Sequence, residues 1–113
     1  MEIDFDQDPF WALDPDNPKH LKVILALQRE LQKEVAPGHI LYGKQCRVIA
    51  KREDTDDIIV ELENGQIAYV HLTWCSGADT PPWPSTGIYS DKPSFWKNVM
   101  LEEIRDYNER MAD

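Results

Sequence analysis

The pair Asn64-Gly65 constrains this chain more than any other two residues, because it lies between two strand-like runs, Asp57 to Glu63 and Gln66 to Trp74. A type I′ hairpin turn needs positive φ at both central positions, and Asn followed by Gly meets that need with least strain. A two-residue loop sets the register. Leu62 then faces Ile67, Val60 faces Tyr69 and Ile58 faces His71 on one side, the side expected to receive a helix. On the other side Glu61 faces Ala68, Ile59 faces Val70 and Asp57 faces Leu72; this side is polar near the turn and is expected to be only partly covered. A third run, Gln45 to Arg52, extends the ribbon to an antiparallel sheet of at least three strands.

Two helices flank this sheet in the chain. Asn17 is suited to cap the first and Pro18 to occupy its first position, where the missing N–H is no loss. Leu21, Ile24, Leu25, Gln28, Leu31 and Val35 recur at three- and four-residue steps, and Pro37-Gly38 ends the pattern. Glu30 with Glu34, and Arg29 with Lys33, are like-charge pairs one turn apart, so they read as a solvated outer face. The second helix starts near Ser90-Asp91-Lys92-Pro93 and places Trp96, Met100, Ile104, Tyr107 and Met111 on one face, with Phe95 and Val99 beside them. The expected architecture is therefore one α+β domain over 1–113, a size that suits a single core. It carries an acidic, aromatic-containing segment at 1–17 and a long proline-containing loop at 75–94.

Charge narrows the function classes. The formal net charge is -9, and Glu2, Asp4, Asp6, Asp8, Asp14 and Asp16 lie in a stretch up to Pro18 that has no Lys or Arg. Such a chain repels phosphate backbones, which argues against nucleic-acid binding and favours encounter with a basic partner. No apolar run reaches the roughly 18 residues of a bilayer span, so no membrane association is expected. The opening residues are acidic where a secretory signal is basic and then apolar, which points to the cytoplasm. In that compartment Cys46 and Cys75 are expected to remain free thiols.

Several constellations match a known chemistry only in part. His39, Cys46, His71 and Cys75 are metal-ligand types, but they lack the close pairs of a structural zinc site, so no metal or cofactor is expected. Cys75 at the end of a strand could act as a nucleophile with His71 as its base, yet the sequence offers no third group to orient that base. Asp54, Asp56 and Asp57 lack the glycine and distal glutamate of a calcium loop and read as a polar turn. Pro81-Pro82-Trp83-Pro84 suits a short polyproline segment presenting an aromatic, or else a plug that pins the loop to the sheet.

Pro37-Gly38-His39, Leu41-Tyr42-Gly43, Asp56-Asp57, the strand end His71-Leu72-Thr73-Trp74 and the following Trp83-Pro84 together resemble a family of small uncharacterised bacterial proteins. The likeness covers roughly residues 18–100 and implies a bacterial origin and a compact domain, with no catalytic residue carried over.

The residues thus point to a non-enzymatic protein-binding domain, one form of which is an immunity-type inhibitor of a basic toxin or enzyme. Its expected partner-facing residues are Trp83, Ile88 and Tyr89 with Asp4, Asp6 and Asp8. The competing readings are a small-molecule enzyme built on His71 and Cys75, and a homodimer joined through the partly covered sheet face.

Overall fold

The computed structural model describes residues 4–75 and 77–112, so Glu2 of the acidic segment lies outside the described residues. The fold is α+β. Five strands run antiparallel in chain order: β1 (Phe10–Ala12), β2 (Cys46–Arg52), β3 (Asp57–Leu62), β4 (Ile67–His71) and β5 (Thr86–Tyr89). Helix α1 (Pro18–Glu34) connects β1 to β2. After β5 come α2 (Lys92–Phe95), a π-helical stretch (Trp96–Met100) and α3 (Leu101–Met111). The capping expectation for α1 is met: the Asn17 side chain accepts from the backbone N–H groups of Lys19 and His20, with Pro18 in the first turn.

The sheet is covered on both faces. Ile24, Leu27 and Leu31 of α1 bury against Val48, Ile58, Val60, Leu62, Ala68 and Val70. On the opposite face Phe95 and Met100 bury with Phe10, Ala50, Ile59 and Ile67. The run Ile58-Ile59-Val60 is buried throughout because β3 lies between two helical layers and both sets of its side chains are withdrawn from water. Covering both faces also closes the sheet-face route to a homodimer.

The hairpin turn differs from the expectation by one residue. Glu61 pairs with Ile67, Val60 with Ala68, Ile58 with Val70 and Asp57 with His71. Gly65 takes φ +88 while Asn64 is absent from the positive-φ residues, and Gly65 N donates to Leu62 O while Leu62 N donates to Gln66 O. This is a three-residue loop with glycine in the left-handed position, not a type I′ turn. Because side chains alternate with period two, a one-residue slip exchanges the faces of β4 relative to β3. Val70 and Ala68 therefore join Ile58 and Val60 under α1, whereas Ile67 and Tyr69 lie with Ile59 on the other side. A bulge in β2 makes a similar exchange: Val48 pairs with Val60 but Ala50 with Ile59, so Val48 and Ala50 enter different clusters despite their even spacing.

Four other expectations need correction. Residues 86–89, expected within the 75–94 loop, form edge strand β5 paired with β4, and 10–12 of the N-terminal segment form the opposite edge strand. In α1 the buried face is turned from the expected stripe: Leu21 and Leu25 are exposed, whereas Glu30 and Glu34 are buried. In the C-terminal helical segment the π stretch, with Leu101 N bonded to Trp96 O, brings Phe95 and Met100 to one buried face, while Met111 is exposed.

Candidate functional site

The C-terminal end of α1 is clamped to the loop that follows β4 by the buried Glu34 side chain. Glu34 is 0% exposed and Glu30, one turn earlier, 5%. Glu34 Oε1 accepts from Thr73 N at 2.8 Å and Thr73 Oγ1 at 3.1 Å, and its Oε2 accepts from Trp74 N at 2.8 Å. The backbone adds Asp79 N donating to Glu34 O at 2.9 Å. Burial raises the Glu34 carboxyl above its ordinary range, the neighbouring Glu30 carboxyl raises it further, and the bonds from Thr73 and Trp74 pull the other way.

His39 makes the second clamp. Leu41 N donates to its Nδ1 at 3.0 Å, so the hydrogen sits on Nε2, which donates to Pro84 O at 2.9 Å. Nearby, Gly38 takes φ +99, and a Cβ there would meet Pro81 at 3.6 Å. The loop after α1 and the loop before β5 are therefore bound to each other.

These clamps hold apolar residues outward rather than inward. Trp74 has φ +54, the lone non-glycine with positive φ among the described residues, and its side chain is 53% exposed. Trp83, next to the His39-bound Pro84, is 52% exposed, and Ile40 and Tyr42, on either side of Leu41, are also exposed. Trp83 is thus not a plug in the sheet. A left-handed backbone disfavours a bulky residue by about 1–2 kcal/mol, so something must hold Trp74 there. The buried Glu34 carboxylate on its N–H is the evident cause.

A groove of about 810 Å³ opens between α1 and the start of β2, with Tyr42 among its lining residues. Leu31, Val35, Leu41 and Leu62 supply its apolar wall, with Gln32 and Lys44 among its polar residues. Cys46 also lines it, and burial pushes that thiol up, which keeps it protonated and a poor nucleophile near neutrality.

The other expected site residues are dispersed. Ile88 and Tyr89 lie in β5, Ile88 against the α1-side core and Tyr89 against Phe95, at 5.3 Å between ring centroids. They are half-buried packing residues of an edge strand. Asp4, Asp6 and Asp8 are exposed, and the hydrogen bonds of Asp4 and Asp6 stay within the N-terminal segment. Phe5 in that segment packs on Phe95, on the face opposite α1, so the acids are not brought to the Trp83 loop.

His71 and Cys75 are not brought into contact either. His71 Nδ1 donates to Asp57 Oδ1 at 2.8 Å, and Cys75 Sγ bonds Gly77 O at 3.0 Å. Among the described residues no group of three or more His, Cys, Asp or Glu is placed to hold a metal ion. The Asp54 to Asp57 turn instead serves a network under the C-terminal helix. Arg52 grips Asp54 with two bonds, at 2.8 and 2.7 Å, and reaches Tyr69 and Glu103. Burial alone would weaken the Arg52 charge, but these hydrogen bonds outweigh it, and Arg52 in turn holds Asp54 below the usual carboxylate range. Burial drives the Tyr69 hydroxyl well above its ordinary value.

Local sequence reasoning does not reach Glu30, Glu34 or Trp74 as functional residues. The spacing of the two glutamates reads as a solvated face, and nothing near Trp74 marks it as left-handed. No helix is long and apolar enough to cross a membrane among the described residues. Compared with protein-family models, with curated proteins and with solved structures, the chain matches none.

Proposed function

We propose that this chain is a non-enzymatic protein-binding domain that meets its partner through Trp74 and Trp83, with the exposed Ile40 on the loop that His39 binds to Pro84. The observation that carries this reading is Trp74: a half-exposed indole held in a disfavoured backbone conformation by a buried carboxylate. A fold shaped only by its own stability would turn a tryptophan inward, because the side chain brings a large apolar area to bury. Tryptophans pre-set in this way are the residue type that dominates binding energy at protein interfaces, and holding them rigid lowers the ordering cost of association. The net charge of -9 favours a basic partner, and an immunity-type inhibitor of a basic toxin or enzyme is one form of such a domain. That form suits the bacterial setting suggested by the resemblance of the His71-Leu72-Thr73-Trp74 segment.

The test is capture from the native cell with the wild-type chain and with Trp74→Ala, Trp83→Ala and the double variant. The expected result is a protein retained by the wild type, weakened by each single change and lost from the double variant, with association slowed by added salt. Retention of that protein by a folded double variant would defeat the reading.

A second reading rests on the groove beside α1. Its volume of about 810 Å³ lies within the range of small-molecule sites, and its apolar wall, rimmed by polar and charged groups that include Lys44, Arg47, Glu61 and Glu63, suits an amphipathic ligand. Saturable binding of the uncharged dye Nile red, abolished by Leu41→Arg in a folded variant, would support it.

A further inference from the structure

The two edges of the sheet are finished differently. At the β1 edge Leu13 N donates to Ile49 O and Glu53 N to Pro9 O, so Phe10 and Ala12, which alternate with these β2-facing positions, turn their main chain outward. Both outward N–H groups are already used: Phe10 N donates to Gln7 O at 2.7 Å and Ala12 N to Asp6 Oδ1 at 3.2 Å. The acidic segment thus closes its own edge. At the β5 edge the same alternation leaves the main chain open. His71 N donates to Ser85 O, so those two residues form a hydrogen-bonded pair, and with the unbroken register Tyr69 with Gly87 and Ile67 with Tyr89 are the next two. The N–H and C=O of Thr86 and of Ile88 therefore point away from β4, and none of them has a partner among the described residues. The outward group before them, Pro84 O, accepts from His39 Nε2 and from Thr86 Oγ1, each at 2.9 Å. Proteins commonly guard such an edge with a lysine, a proline or a bulge, and the run Ser85-Thr86-Gly87-Ile88-Tyr89-Ser90 has none of these.

We propose that β5 is the docking edge for an extended segment of a basic partner protein, which lengthens the sheet by bonding the main chain of Thr86 and Ile88. Its use in the cell rests on the binding reading above, to which it adds the kind of segment the partner offers. In strand addition main-chain bonds give affinity and side chains give specificity. Side chains suited to that task stand where the open edge ends: exposed Trp83 precedes Pro84, and the loop that His39 binds to Pro84 carries exposed Ile40. Charge selects the occupant. A second copy offers the same edge, but pairing β5 with β5 brings together two chains of net charge -9, whereas a basic segment is attracted.

The probe is a synthetic peptide of alternating valine and lysine, about eight residues long, the length of an ordinary strand. Nuclear magnetic resonance with hydrogen exchange follows the full chain as the peptide is added, up to millimolar concentration. In the free chain the amides of Gly87 and Tyr89 should be protected by β4 and those of Thr86 and Ile88 should exchange freely. Peptide at about ten times its Kd should slow Thr86 and Ile88 about tenfold and leave Gly87 and Tyr89 unchanged. The same peptide with every amide N-methylated should not bind, and its valine–glutamate counterpart should bind more weakly at low salt. Thr86→Pro removes one outward donor and spares the bonds to β4, so it should bind the peptide roughly fivefold more weakly than Thr86→Val, which lacks only the hydroxyl. No binding at millimolar concentration, binding that leaves Thr86 and Ile88 exchanging as before, or binding indifferent to N-methylation overturns the proposal. Protection of these two amides that grows with the concentration of the chain itself, without peptide, gives the edge to a second copy and overturns it too. Failure here leaves the binding reading standing if the wild type still captures a protein that the folded double variant Trp74→Ala, Trp83→Ala loses. Peptide pairing at β5 combined with undiminished capture by that double variant sinks the tryptophan reading alone.

Discussion

Replacing Trp74 by alanine and by glycine separates the backbone strain at that position from the packing of its side chain. Both substitutions remove the same indole and lose the same half-buried area, so their difference reports the conformation alone. At φ +54 alanine keeps the clash between Cβ and the carbonyl oxygen, which costs about 1–2 kcal/mol, and glycine does not. Glycine loses more backbone freedom on folding, by roughly 0.5–1 kcal/mol, which offsets part of this. The Trp74→Gly variant should therefore be more stable than Trp74→Ala by about 0.5–1 kcal/mol, the reverse of the usual order. Urea denaturation followed by far-ultraviolet circular dichroism measures the difference as a shift in midpoint at constant slope. Equal midpoints, or alanine the more stable, would refute a strained Trp74 and remove the main support for a pre-set binding tryptophan.

Two further outcomes are expected. Gly65→Val should destabilise the fold by about 1 kcal/mol or more, because φ +88 is closed to a β-branched residue although no atom stands within 4 Å of the missing Cβ; an unchanged denaturation midpoint would count against the hairpin turn. Asp54 lies below its ordinary 3.8 because of Arg52, so the stability from this pair should be present above that value and lost as pH falls through the folded value. Asp54→Asn should flatten this acid limb of a stability-against-pH curve, and an unaltered limb would show that the pair contributes nothing there.

The elements that can be read directly from the residues are those whose causes are local. Asn17 and Pro18 start α1 because a cap needs only the next three residues. Gly65 marks the hairpin because the turn must reverse within a few residues, and the α+β class follows from the two helical periods around alternating runs. Register is legible only in part. Asn-Gly is compatible with both a two-residue loop and a three-residue loop, and the choice depends on which β4 face the helices bury. The three-residue loop sets Asp57 opposite His71, where it orients that histidine; the two-residue register hides this pair.

The site, by contrast, arises from contacts that close only when the chain is folded. Glu30 and Glu34 satisfy every local rule for an exposed helix face, and Glu34 is held in by the loop after β4, some forty residues later, whose N–H groups need an acceptor. The left-handed Trp74 follows from that same long-range bond. Strand β5 has four residues and no strong alternation, so pairing with β4, not propensity, makes it a strand. In each case the deciding interaction joins residues far apart in the chain, where local spacing carries no information about which partner is met.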